Sequence, residues 1–170
     1  MSDIHKLTVS SISQSLVDLG LVPMGVDETI SMMHYFEFFM HGTGHWLGLD
    51  VHDAGSIEEN NKPRKLMPGM VTTVEPGLYI RPNKPEIEFK LLERDPKEIR
   101  ERRKILGMEK ATKLENEEMK DAKSIKHIIP KDLLGIGIRI EDDIVCTDDE
   151  PINLTEEAPK TIEDIEAICS

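Results

Sequence analysis

The stretch His41-Gly42-Thr43-Gly44-His45-Trp46-Leu47-Gly48-Leu49-Asp50-Val51-His52-Asp53 gathers three of the chain's six histidines among glycines. Imidazole nitrogen is a ligand for borderline divalent ions, and glycine lets a backbone pass close to a bound group. Thirty residues beyond His45, Thr73-Val74-Glu75-Pro76-Gly77-Leu78-Tyr79 sets a carboxylate at the end of a β-branched run, immediately before a rigid Pro-Gly. A third stretch, Gly135-Ile136-Gly137-Ile138-Arg139-Ile140-Glu141-Asp142-Asp143, adds carboxylates on an alternating segment that reads as a strand. In it Ile138, Ile140 and Ile144 alternate with Arg139 and Glu141, which puts Arg139 and Glu141 on one face.

Each histidine taken alone is more often a core residue satisfied by a carbonyl than a metal ligand. Together, His45, Glu75 and Glu141 form a nitrogen and oxygen donor set suited to zinc, manganese, iron or cobalt, and two carboxylates with room to bridge suit a pair of ions. Arg139 beside them is placed to orient a ligand. The chemistry this predicts is metal-assisted hydrolysis.

Composition narrows the class. With 170 residues, 38% hydrophobic and 32% charged, the chain has the makings of one ordinary globular domain. It has no apolar run near the length of a membrane helix, and Met1-Ser2-Asp3-Ile4-His5-Lys6 lacks a basic-then-apolar export signal, so a cytoplasmic protein without membrane contact is expected. Cys146 and Cys169 have neither metal-ligand spacing nor the density of a disulfide scaffold. A net charge of -12 argues against nucleic acid as a partner, because phosphate affinity comes from clustered Lys and Arg. Nearly all of that charge lies between Glu141 and Ser170, where only Lys160 is basic.

The spacing of Ile4, Leu7, Ile12, Leu16 and Leu19 predicts an amphipathic helix from Asp3 to Leu19, stopped by Gly20. A short helix is expected from Val26 to about Met33, and Tyr35, Phe36, Phe38 and Phe39 read as core. Trp46, Leu47, Leu49 and Val51 suggest a strand or extended segment. Pro68-Gly69 turns into the β-branched run Met70 to Val74, so Glu75 falls at a strand end. From Arg94 to Lys123 the composition becomes strongly charged, with Glu98 and Arg102 at helical i,i+4 spacing. This reads as a charged helical insertion at about 94–128, a hairpin broken near Gly107, with Ile99, Leu106, Leu114 and Met119 as its loose apolar contacts. Gly135 to Val145 returns to the sheet, and Thr161 to Cys169 reads as a last helix with Ile162, Ile165 and Ile168 on one face.

The wording HGTGHWLGLDVHD, TVEPGLYI and GIGIRIEDDI, in that order, resembles the pita-bread metallopeptidases and, within them, the Xaa-Pro aminopeptidases. The likeness covers roughly His34 to Lys90 and Pro130 to Ile168, and the charged insertion stands outside it. It implies an α+β fold, the C-terminal portion of a creatinase/aminopeptidase-like domain with a curved antiparallel sheet and flanking helices. It also implies roles. His45, Glu75 and Glu141 would ligate metal, Glu75 would serve as general base on the attacking water, Glu141 would bridge two ions, and His41 and His52 would bind substrate and stabilise the tetrahedral intermediate.

By the same resemblance, the reaction is release of an N-terminal residue that precedes proline, with manganese as the expected ion and a peptide with proline in second position as the substrate. The intact family centre holds two ions on five protein ligands, the first two being aspartates upstream of the histidine that corresponds to His45. Asp3, Asp18 and Asp27 do not stand in that context. The chain is therefore expected to be the C-terminal part of a catalytic domain that supplies three of five ligands and binds at most one ion. Marginal stability alone is expected, with a complementing N-terminal half or a homo-oligomer covering the exposed face. A prolidase-like Xaa-Pro dipeptidase and a non-catalytic remnant serving as an interaction module stay open beside this reading.

Overall fold

A computed structural model describes residues 1–60 and 62–170. Five α-helices, α1 (Ser2–Asp18), α2 (Val26–Ser31), α3 (Pro96–Leu106), α4 (Met108–Lys120) and α5 (Ile162–Cys169), accompany nine short strands among the described residues. The strands are β1 (Glu58–Glu59), β2 (Lys62–Pro63), β3 (Val71–Val74), β4 (Gly77–Tyr79), β5 (Glu86–Lys90), β6 (Ser124–Ile128), β7 (Gly137–Arg139), β8 (Asp142–Val145) and β9 (Ile152–Asn153). The architecture is α+β, with the β structure in small antiparallel ladders. No helix among the described residues is long and apolar enough to cross a membrane.

The chain folds into two compact units. The first comprises Met1–Thr8, His41–Leu78 and Ile138–Ser170, and the second Val9–Met40 and Tyr79–Gly137. In the first, β3 pairs with β8 in the register Val71↔Val145 to Val74↔Asp142, and β9 joins the far edge of β8 through Ile144↔Asn153. The near edge of β3 carries the histidine-rich stretch: Leu47 N–H donates to Val71 O, Thr73 N–H to His45 O, and Glu75 N–H to Thr43 O, at 3.1, 3.0 and 2.7 Å. Thr72 and Thr73 are buried at the centre of this three-segment array.

The extended segment expected over Trp46 to Val51 ends almost where it starts. Trp46 makes one bridge to Thr72, and the chain then turns out, leaving Leu49 fully exposed and Val51 largely so. The cause is local: Asp53 N–H donates back to Trp46 O, its carboxylate accepts Gly55 N–H, and a Cβ on Gly48 or Gly55 would strike that carboxylate. Small residues and an aspartate close a loop more strongly than three apolar residues extend a strand.

In the second unit, β5 pairs with β6 from Glu86↔Ile128 to Lys90↔Ser124. Alternation is clean along β5, with Ile87 and Phe89 buried while Glu86 and Glu88 face water. The core gathers Leu16, Leu21, Phe38, Phe39, Phe89 and Ile129, and Tyr35 joins it, while Phe36 is half exposed. The charged helical hairpin lies between β5 and β6 in sequence. Asp95 caps α3 by accepting Lys97 N–H, Pro96 opens the helix, and Gly107 breaks it with φ of +79° before α4 begins. Arg102 bonds both Glu98 and Glu118, and the buried Glu115 accepts from Arg103 and Arg94. The hairpin's inward contacts are Ala111 and Glu115 rather than Leu106 and Leu114, which stay exposed. Its helical part ends at Lys120, and residues 124–128 form β6, whose partner β5 precedes both helices in sequence.

His34 is buried in this unit, its Nε2–H donating to Lys90 O at 2.8 Å and its ring 4.9 Å from Phe89. Burial lowers its pKa, and the positive field of Arg94 adds to the effect. Unfolded, the ring titrates near 6.5. Between that value and the lower folded one, the unfolded chain binds a proton that the folded chain does not. Stability is therefore full above the unfolded pKa and falls as pH drops through it toward the folded value. Thermal melts followed by circular dichroism from about pH 7.5 to about pH 5.5 should show a falling midpoint, with a shallower fall in His34→Gln.

Candidate metal centre

The site grows from the register around β3. Thr43 lies opposite Glu75, and His45 opposite Thr73. One step beyond Val74↔Asp142, the register places Glu141 across from Glu75. Residues two apart share a face, so His45, Thr73, Glu75 and Glu141 project together from three neighbouring segments. Glu141 itself is not within a strand. Ile140 N–H donates to Pro76 O, and β8 starts only at Asp142, so the continuous strand expected from Gly135 to Val145 is split at the carboxylate. The split leaves the Glu141 side chain exposed at the array's open end.

The result is one cluster. A ligand atom from each of His45, Glu75 and Glu141 lies within 4.8 Å of the others, and this is the one group of three or more His, Cys, Asp or Glu side chains so placed among the described residues. His45 Nε2 is 3.6 Å from Glu75 Oε1. Its Nδ1 is 3.0 Å from Trp46 O, which assigns the proton to Nδ1 and turns the Nε2 lone pair toward the carboxylates. An acceptor nitrogen facing carboxylate oxygens across such a gap has no proton to share, and a cation satisfies all of them. The donor set therefore fits a divalent ion of the borderline class.

Other groups fix these donors. Thr73 Oγ1 accepts His45 N–H at 3.1 Å and donates to Glu75 Oε1 at 3.3 Å, linking two of the three. Arg139 Nη1 is 3.2 Å from Glu75 Oε2, and its Nη2 is 3.3 Å from His41 Nε2. His41 Nδ1 is 2.7 Å from Gly42 O, so Nδ1 carries that ring's proton and Nε2 accepts from the guanidinium. The His52 ring centre is 4.3 Å from that of His45, and His52 is exposed. All six residues singled out in the sequence thus fall in one neighbourhood of the first unit.

Thr73 and Thr43 were not singled out, although period-two alternation back from Glu75 places Thr73 on the same face. His5, visible in the sequence only as part of a helix, reaches Thr43 Oγ1 at 2.9 Å. Nothing local signals that contact, which joins residues 38 apart.

Residues 1–148 match the model of metallopeptidase family M24. The chain is 40% identical over 153 residues to the Xaa-Pro aminopeptidase of Escherichia coli strain K12, an alignment covering 90% of this chain and 25% of that protein. Among solved structures, Pseudomonas aeruginosa aminopeptidase PepP superposes with a TM-score of 0.68 at 36% identity, over 96% of this chain and 28% of that one. E. coli aminopeptidase P with the inhibitor Pro-Leu superposes with a TM-score of 0.65 at 38% identity, over 97% of this chain and 28% of that one. The chain spans about a quarter of the length of the curated relatives it matches.

Proposed function

Because the chain belongs to metallopeptidase family M24, we propose that it supplies His45, Glu75 and Glu141 to the metal centre of an Xaa-Pro aminopeptidase, removing the N-terminal residue from peptides with proline in second position. The observation that carries this reading is the convergence of the three donors within 4.8 Å, with the His45 lone pair turned inward.

A divalent ion held by these donors would polarise the scissile carbonyl and lower the pKa of a water beside it. With one imidazole and two carboxylates, the set suits manganese. Glu75 is the general base. Held by Thr73 on one oxygen and Arg139 on the other, its carboxylate takes a proton from the attacking water as that oxygen bonds to the carbonyl carbon. The proton then passes to the proline nitrogen, which has no N–H of its own before the bond breaks. His52 donates a hydrogen bond to the carbonyl oxygen as charge develops on it, while His41, whose Nε2 accepts from Arg139, holds that guanidinium toward the same charge.

A two-ion centre needs more carboxylates than this cluster holds, and the family pattern supplies them as two aspartates. We place those aspartates outside these 170 residues. The test is hydrolysis of an Xaa-Pro-Xaa tripeptide and an Xaa-Pro dipeptide with added manganese, by the chain alone and by the chain supplemented with the aspartate-bearing segment of a relative. Turnover is expected only after supplementation, with the tripeptide preferred. Turnover by the chain alone that Glu75→Gln abolishes would contradict the requirement for two further aspartates. Preference for the dipeptide would assign the site to a prolidase instead.

A further inference from the structure

On the opposite strand face from Glu141 lies a compact polar knot that the proposed mechanism does not use. Thr155 Oγ1 donates to Asp142 Oδ1 at 2.6 Å and accepts Asp143 N–H at 3.1 Å. Lys160 Nζ reaches the same Asp142 oxygen at 3.0 Å and also donates to Thr155 O at 2.8 Å. Asn153 Oδ1 accepts Thr155 N–H at 2.9 Å, closing the turn that follows β9. Leu154 N–H donates to Asp143 O, so the segment after β9 stays on the backbone of β8.

These contacts bear on a problem in the fold. Glu141 is exposed, lies in the gap between β7 and β8, and precedes the first residue of β8. An exposed carboxylate at a strand end is free to sample several rotamers, and a ligand must not. Successive residues point to opposite faces, so clamping the Asp142 side chain on one face fixes the backbone that aims Glu141 on the other. Asp142 is only part exposed, as is Lys160, and both belong to segments far apart in sequence.

We propose that Asp142, Thr155 and Lys160 are positioning residues for the metal ligand Glu141, a clamp that pins the start of β8 so that the Glu141 carboxylate meets His45 and Glu75. This inference rests on the metal-centre reading. Lys160 is the one basic residue between Glu141 and Ser170, and its ammonium is spent on this clamp rather than on the surrounding acidic surface. Loss of a residue that orients a ligand commonly weakens metal binding by about 10-fold to 100-fold.

The experiment titrates the 170-residue chain with Mn2+ and reads the free ion by its paramagnetic resonance signal. Wild type, Glu141→Ala, Thr155→Val, Thr155→Ser, Lys160→Met and the double variant Glu141→Ala/Thr155→Val are compared, with circular dichroism reporting the fold. Thr155→Val and Lys160→Met should each weaken binding by about 10-fold to 100-fold, and Thr155→Ser, which keeps the hydroxyl, should restore it to within a few-fold of wild type. Thr155→Val should add nothing once Glu141 is gone, because its effect runs through that carboxylate. If Glu141→Ala weakens binding but Thr155→Val and Lys160→Met bind like wild type, the clamp is overturned and the metal centre stands. If wild type binds no ion, or Glu141→Ala binds equally well, the metal-centre reading itself fails and the clamp with it. Should Thr155→Val not fold, Lys160→Met decides the outcome on the same scale.

Discussion

Glu75→Gln should weaken divalent-ion binding by more than about 100-fold while leaving the fold in place. The effect exceeds the 10-fold to 100-fold typical of outer partners because a donor is lost directly. The amide has the same shape but no charge, and its NH2 group directs protons at the space where the cation would sit. Thr73 Oγ1 can still donate to the amide oxygen, and the lost ion pair involves Arg139, whose side chain is 43% exposed. A screened pair of that kind contributes about 0–1 kcal/mol. The metal-free melting temperature should therefore move by a few degrees at most, and equilibrium dialysis against Mn2+ should show the loss. In a supplemented, active centre the same variant should cost at least the 10²- to 10⁴-fold that general-base catalysis contributes. Unchanged affinity would remove Glu75 from the ligand set.

Gly44→Ala should damage the centre without touching a donor. A Cβ at Gly44 would sit far inside contact distance of the Thr73 carbonyl oxygen, a backbone atom that no rotamer change can move. Relief requires the 43–47 strip to withdraw from β3, which strains the bonds from Glu75 N–H to Thr43 O and from Thr73 N–H to His45 O. Steric overpacking of this kind costs about 1–3 kcal/mol. His45 would move away from Glu75 with the strip, and ion affinity should fall by about 10-fold to 100-fold. Gly42→Ala is the control, because its nearest neighbour, Gly44 O at 3.8 Å, is at ordinary contact distance. It should bind ion like the wild type. Equal behaviour of the two variants, in melting temperature and in dialysis, would refute the steric account.

The sequence makes legible whatever depends on short-range pattern. The Val71–Val74 run, the Pro76-Gly77 stop and the i,i+4 pair Glu98 and Arg102 each announce an element within a few residues, and the structure places elements there. The α5 stripe of Ile162, Ile165 and Ile168 is equally plain, although all three isoleucines are exposed. Long-range partnership is where the reading stops. β6 is a polar Ser124-Ile125-Lys126-His127-Ile128 run whose strand character comes from pairing with β5, with two helices in sequence between them. Lys160 looks like a lone cation in an acidic tail until its partner at Asp142 is seen. The break at Glu141 is hidden for a similar reason: alternation runs through it unbroken, and only the hydrogen bond from Ile140 to Pro76 shows where the ladder is interrupted.

The metal centre follows the same division. Residue types and spacing suggest His45, Glu75 and Glu141 as donors. Their meeting depends on two registers that no local pattern encodes, one between β3 and β8 and one between β3 and the 43–47 strip. Once both are set, the shared face follows from the two-residue repeat of extended chain.

In the proposed centre these three side chains hold one divalent ion. This is tested most directly by growing crystals of the chain with zinc and mapping the anomalous signal at the zinc absorption edge. A single strong peak is expected about 2.0–2.2 Å from His45 Nε2 and from one oxygen each of Glu75 and Glu141. A fully ordered cluster without a peak at saturating zinc, or a peak held by other side chains, would contradict it.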